Sequence, residues 1–197
     1  MNRSRTDFVI LGLLTVQPNL SGYDIRKAVE STIGYFWSES YGQIYPTLKR
    51  LALQGLVEPS STIPKLRRQQ YSITPSGREA LQLWLAEPFY NEPPRNEFLL
   101  KLFFGLEAPI AVSVAHIQDL NQKNRKMLAT ALEIEAMAQK QSPRNPHQPY
   151  WMLTLTLGIA LTRAALEWGE SALTAVPFLE SASDTTPQPS ANPNDHA

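Results

Sequence analysis

The sequence predicts a mainly helical protein with one small β-hairpin, arranged as two consecutive regions. Three observations carry this. Apolar residues recur at helical spacing along most of the chain. Two short β-prone runs flank a basic loop near residue 65. A stretch holding Pro88, Pro93 and Pro94 separates the first 86 residues from a second helical part. With 197 residues, of which 43% are hydrophobic and 18% charged, the chain can bury a core.

Phe8–Val16 is a short apolar helix, stopped by Pro18 and Asn19. Ser21 then offers a helix cap. Asp24 stands three positions on, as in a capping box, and Ile25, Ala28 and Val29 form the buried stripe to about Thr32. Ser40 is a second cap, for a helix from Tyr41 to about Gln54 that Gly55 ends. Ile44, Leu48 and Leu51 define its core face. Gly42, Gln43, Pro46, Lys49 and Arg50 project from the other side, with Tyr41 and Tyr45 on the flanks. Pro46 removes one backbone bond to Gly42, so an irregular first turn is expected. Leu56–Ser60 and Gln69–Ile73 are strands, joined by a loop whose cations are Lys65, Arg67 and Arg68. Thr74 caps the next helix, with Pro75 at its first position.

Beyond the proline-rich stretch, Glu97–Leu106 is a short helix and Ser113–Gln141 a long one. Ile117, Leu120, Asn124, Met127, Ala131, Ile134 and Ala138 alternate spacings of three and four, a coiled-coil repeat with Asn124 as a polar member. An amphipathic helix packing within its own chain is the plainer alternative. Pro143, Pro146 and Pro149 break the chain. Tyr150–Ala175, which includes Trp151, Leu155 and Trp168, is apolar nearly all round until Arg163. A helix without a polar face needs cover on most sides, and three helices offer little interior. A homodimer through this region is therefore expected, twofold dimers being the commonest oligomers. From Ser181 the composition is that of a disordered tail. The expected division is residues 1–86, a linker at 87–96, a helical dimerisation domain at 97–180 and a tail at 181–197.

The chain has 18 basic and 18 acidic residues, yet residues 1–86 carry ten basic and six acidic ones. That part is net +4 and the remainder −4, which makes the first part the candidate for a polyanion. Without cysteine, disulfides, thiolate metal sites and cysteine nucleophiles are excluded. Neither a signal peptide nor a span of about 20 apolar residues is recognisable, so a soluble cytoplasmic protein is expected. The three histidines stand far apart, and no phosphate loop, GxSxG or HExxH is present. An enzyme, a metal or a cofactor is not expected.

The order helix, helix, helix, strand, basic loop, strand, helix is that of a winged helix-turn-helix. Its second motif helix enters the DNA major groove by its N-terminal residues. Gln43 suits adenine, Lys49 and Arg50 suit guanine or phosphate, and Thr47 suits either. Gly42 permits close backbone approach, and Ser40, Tyr41 and Pro46 complete the helix start. Tyr45 suits a phosphate although its angle borders the core, and Tyr23 suits one from the preceding helix. Lys65, Arg67 and Arg68 belong beside the backbone or minor groove. Trp37, Phe103, Phe104, Tyr150, Trp151 and Trp168 are candidates for an apolar effector pocket, with core packing the alternative for each.

Several segments resemble the PadR family of bacterial transcriptional regulators. They are Leu11–Leu14, Ser21-Gly22-Tyr23-Asp24-Ile25, Gly42 to Leu51, Gly55-Leu56-Val57 and Tyr71 to Gly77. The most specific is Tyr45-Pro46-Thr47-Leu48-Lys49. The length and the long C-terminal helices are similar to the longer subfamily. The resemblance implies a dimeric winged-helix repressor that binds an operator and is released by a small molecule, often a phenolic acid. A winged helix that docks proteins instead of DNA is the rival reading, since fold alone does not settle function. Neutral, apolar residues around Gln43 and on the wing would have favoured it.

Overall fold

The structure is a computed structural model that describes residues 4–37, 41–60, 68–89, 95–140 and 145–183. It divides into two compact units, residues 1–91 and 92–197. The first holds α1 (Arg5–Val16), β1 (Leu20–Ser21), α2 (Gly22–Ala28), α3 (Tyr41–Leu53), β2 (Val57–Ser60), β3 (Gln70–Ile73) and α4 (Pro75–Ala86). The second holds α5 (Glu97–Phe103), α6 (Ile110–Gln139) and α7 (Gln148–Ser183). The architecture is mainly α, with a winged helix-turn-helix first and a helical region after it.

The first core is built from Ile10, Leu11 and Leu14 of α1, Ile25 of α2, Ile44, Leu48 and Leu51 of α3, and Leu81 of α4, with Leu56 and Val57 closing it at β2. Phe8 and Trp84 stack at 4.4 Å, joining α1 to α4. Ser21 caps α2 in a full capping box. The Asp24 N–H donates to the Ser21 hydroxyl at 3.3 Å, and the Ser21 N–H donates to the Asp24 carboxylate at 3.0 Å. Replacing Ser21 by Ala is expected to cost about 1 kcal/mol, measured by urea unfolding. Beyond Ala28 the helix widens into a π turn, Val29–Ile33, where the Ser31 and Thr32 hydroxyls both return to the Ala28 carbonyl.

Helix α3 runs unbroken through Pro46, so the expected irregular turn is absent. The proline lies near the helix start, where only its bond to Gly42 is forfeited. Gly55 ends α3 with φ +67°, the left-handed conformation that suits glycine. The Leu56 N–H reaches the Leu51 carbonyl and the Gly55 N–H the Ala52 carbonyl, a Schellman motif. The hairpin β2–β3 pairs Val57 with Ile73 and Ser60 with Gln70. The expected two-stranded wing has a third member, because β1 pairs Leu20 with Tyr71 and gives the order β1-β3-β2. Pro59 lies on the edge strand β2, where its missing N–H is tolerated.

In the second unit, α6 and α7 form an antiparallel hairpin. Asn121 lies beside Gly169, Arg125 pairs with Glu170 at 3.0 Å, and the Gln148 amide donates to the Ala138 carbonyl. The protected positions of α6 include Ile117, Asn121, Asn124, Leu128, Ala131, Glu135 and Ala138. The expected seam shares Ile117, Asn124, Ala131 and Ala138 with this intrachain face, and its other members are Leu120, Met127 and Ile134. Met127 and Ile134 are exposed and Leu120 is partly buried, on a neighbouring stripe. Ile117 and Asn124 are buried within the chain. On α7, Ile159, Thr162 and Gly169 are buried and Leu155 partly so. Asn121 is 1% exposed, and among the described residues neither its amide nitrogen nor its oxygen finds a hydrogen-bond partner. A Cβ on Gly169 would stand 2.1 Å from that oxygen, so only glycine there leaves room for the Asn121 side chain. Helix α7 also continues to Ser183, past the expected start of the tail, and residues 184–197 lie outside the described part. Among the described residues no helix is long and apolar enough to cross a membrane.

Candidate nucleic-acid interface

Helix α3 sorts its residues by the angle they take around the axis. Ile44, Leu48 and Leu51 are buried, and the opposite side leaves Gly42, Gln43, Tyr45, Pro46 and Lys49 exposed. Neutral, basic and aromatic polar groups thus share one solvent-facing strip at the start of the helix. Such a strip suits a groove whose base edges offer acceptors and whose rims offer phosphates.

Two of the expected contact residues also engage the fold itself. Thr47 is buried at 4% exposure, on the side of α3 that carries Ile44, Leu48 and Leu51. Arg50 turns back to α1. Its guanidinium donates from Nη1 to one Asp7 oxygen at 2.8 Å, and from Nη2 to the other. The Asp7 side chain is wholly buried, whereas that of Arg50 is 41% exposed. This bidentate pair strengthens the hold of Arg50 on its proton and ties α3 to α1.

A second cluster lies on α2 and the end of the wing. The Arg68 guanidinium sits 4.3 Å from the centre of the Tyr23 ring, and Lys27 Nζ sits 4.9 Å from it. Each is within cation–π reach. Lys27 was not singled out from the sequence, although its position four residues after Tyr23, one helical turn on, was a readable signal. Asp24 lies in the same neighbourhood. The Ser21 hydroxyl, then the Ser21 N–H, then Arg68 and Lys27 hold its carboxyl below the ordinary range. A depressed carboxylate stabilises the fold above its unfolded pKa and loses that contribution as pH falls through the folded one. The cap therefore weakens only on strong acidification. Ser40, Lys65, Arg67 and the Tyr41 side chain lie outside the described residues.

The aromatic candidates divide between the units. Trp37, partly buried, takes the Arg5 guanidinium 6.0 Å from its ring in the first. In the second, Phe103 meets Phe104 edge-on at 5.1 Å, His147 stacks on Trp151 at 6.1 Å, and Phe98 meets Trp168 edge-on at 5.8 Å. Phe103 and Tyr150 are largely exposed. No group of three or more metal-ligating side chains occurs among the described residues.

Comparison with known proteins matches residues 10–83 to the transcriptional regulator PadR-like family and residues 94–176 to the virulence activator alpha C-terminal family. The negative transcriptional regulator PadR of Bacillus subtilis (strain 168) is 32% identical over 177 residues, covering 86% of this chain and 96% of that one. Its crystal structure in complex with operator DNA superposes with a TM-score of 0.75 at 30% identity, over 88% of this chain and 99% of that one. Its crystal structure in complex with p-coumaric acid gives 0.72 at 28% identity, with the same coverage. With the winged helix, the exposed strip on α3 and these likenesses together, the chain belongs to the PadR-like family of transcriptional regulators, in its longer form with a C-terminal helical domain.

Proposed function

We propose that this protein is a sequence-specific DNA-binding regulator that acts as a homodimer in the cytoplasm and represses transcription until a small aromatic acid binds. Residues 1–86 bind the operator and residues 97–180 form the dimer. The observation that carries the reading is the exposed strip Gly42, Gln43, Tyr45, Pro46 and Lys49 on α3, with Tyr23, Lys27 and Arg68 as a second polyanion contact. Lys65 and Arg67 of the wing extend it toward the backbone. The B. subtilis relative, a negative regulator that is seen with operator DNA and with p-coumaric acid, supports repression and the class of effector.

The dimer is supported by apolar surface. Leu153, Leu157 and Leu161 of α7 are each at least 60% exposed, and Trp151 and Trp168 remain partly open. Met127 and Ile134 of α6 add to this. Apolar patches on such a scale mark interaction surfaces, and a second copy covers them with the same groups. The effector reading draws on Trp37, Phe103, Tyr150 and Trp151, and tryptophan fluorescence during titration with p-coumaric acid tests it.

The decisive measurement is a gel shift on the DNA upstream of the protein's own gene, with duplexes enriched from a random pool as a second probe, at two salt concentrations. Binding should weaken steeply with salt as phosphate-bound counterions return. Replacing Gln43 by Ala is expected to relax preference at one base pair by about 1–3 kcal/mol, whereas replacing Lys49 by Ala weakens all sequences and lowers the salt slope by about 1. Absence of any shift on either probe would remove the DNA reading.

A further inference from the structure

We propose that Gly22 is a positioning residue for DNA binding: its bare Cα is the seat that sets the pose of Tyr45 on α3. The inference rests on the DNA-binding reading above.

Gly22 is buried at the first position of α2, directly after the capping Ser21. A Cβ built there would lie 2.6 Å from Cε1 of Tyr45, and 3.0 Å from both Cδ1 and Cζ. One edge of the tyrosine ring therefore occupies the volume that any other residue would fill. The backbone does not require glycine at this point, since Gly55 is the glycine with positive φ among the described residues. The requirement comes from the ring. Tyr45 remains 56% exposed, so one edge is anchored while the rest of the ring stays open to solvent. The contact ties the start of α2, next to Tyr23, to the exposed strip of α3. With its edge fixed, the hydroxyl is presented in one place, which lowers the ordering cost of a phosphate contact. Ordinary core packing would leave the tyrosine enclosed; here the glycine supports a side chain directed outward.

The test is a double-mutant cycle with Gly22→Ala and Tyr45→Ala, read by fluorescence anisotropy on a duplex enriched by the wild-type protein from a random pool. Gly22→Ala alone is expected to weaken binding about tenfold, comparable to a lost hydrogen bond with a charged group. In the Tyr45→Ala background, where the Cβ has room, Gly22→Ala should change affinity less than twofold. Tyr45→Phe separates the hydroxyl from the ring and should lose most of what Tyr45→Ala loses. The Tyr45 ring resonances, followed by NMR without DNA, should shift in Gly22→Ala. If Gly22→Ala fails to fold, the double variant should fold again, because the clash is gone. Wild-type affinity in Gly22→Ala, unmoved ring resonances, or a full additional loss in the double variant overturns the inference. A wild-type protein that enriches no duplex overturns the DNA reading instead, and then the ring resonances alone report whether the seat exists.

Discussion

Replacing Arg50 by Met is expected to be among the most damaging single changes in the first unit, at about 3–5 kcal/mol, because it strands a buried charge. The Asp7 carboxylate has no solvent contact, and both its oxygens are bound by the Arg50 guanidinium. Removing the arginine leaves a carboxylate with neither water nor counter-ion. Removing the other partner is milder. Asp7→Asn leaves a guanidinium that is already 41% exposed and can hydrate, so a loss of about 1–2 kcal/mol is expected. The double variant should recover most of the difference between the two. Urea unfolding of all three proteins checks the order. Equal losses in the two single variants would show that burial of Asp7 is not what makes the pair matter. The same reasoning gives Arg50 a part in orienting α3 on α1.

Gly77→Ala is expected to lower stability by about 3 kcal/mol, since the added methyl group meets an obstacle that cannot rotate away. Its Cβ would lie 2.1 Å from the Leu56 carbonyl oxygen and 3.0 Å from the carbonyl carbon. That oxygen is held in place. It accepts the Thr74 N–H at 3.1 Å, and the Thr74 hydroxyl donates to the Gly55 carbonyl at 2.7 Å while accepting the Gly77 N–H at 3.0 Å. The start of α4 is thereby moulded onto the turn between α3 and β2. A drop in Tm of roughly 10 °C is the expected reading by calorimetry. Ser76→Ala, one residue earlier and exposed, serves as the control and should leave Tm nearly unchanged.

Much of the first unit was legible because its signals are local. Ile44, Leu48 and Leu51 repeat at helical spacing, Ser21 and Asp24 stand at capping-box distance, and Gly55 ends a helix where a left-handed residue is needed. What escaped depends on distance or size. Strand β1 has two residues, too few for any alternation to appear. The partner of Arg50 lies 43 positions earlier, so nothing near Arg50 announces it. Thr47 follows Ile44 by three positions, and its burial places it on the same face. On α6 hydrophobicity marks Leu120, Met127 and Ile134, whereas within the single chain Asn121 is buried and Met127 and Ile134 stay exposed. Long apolar helices offer two stripes of comparable greasiness, and the sequence does not say which one its own partner helix takes. Of the proposed interface, the exposed strip of α3 was readable from angles alone and Lys27 from its place one turn after Tyr23, whereas the approach of Arg68 to the same ring needs the fold.

The amide of Asn121 against Gly169 acts as a key in a keyway. Slide α7 along α6 by one heptad and Asn121 faces Thr162 or Val176, side chains with no slot for it. An all-leucine hairpin would bind more tightly yet tolerate such slippage. Two rods locked in phase give every copy of the molecule the same reach, and any paired assembly built on them inherits one fixed span rather than a family of spans.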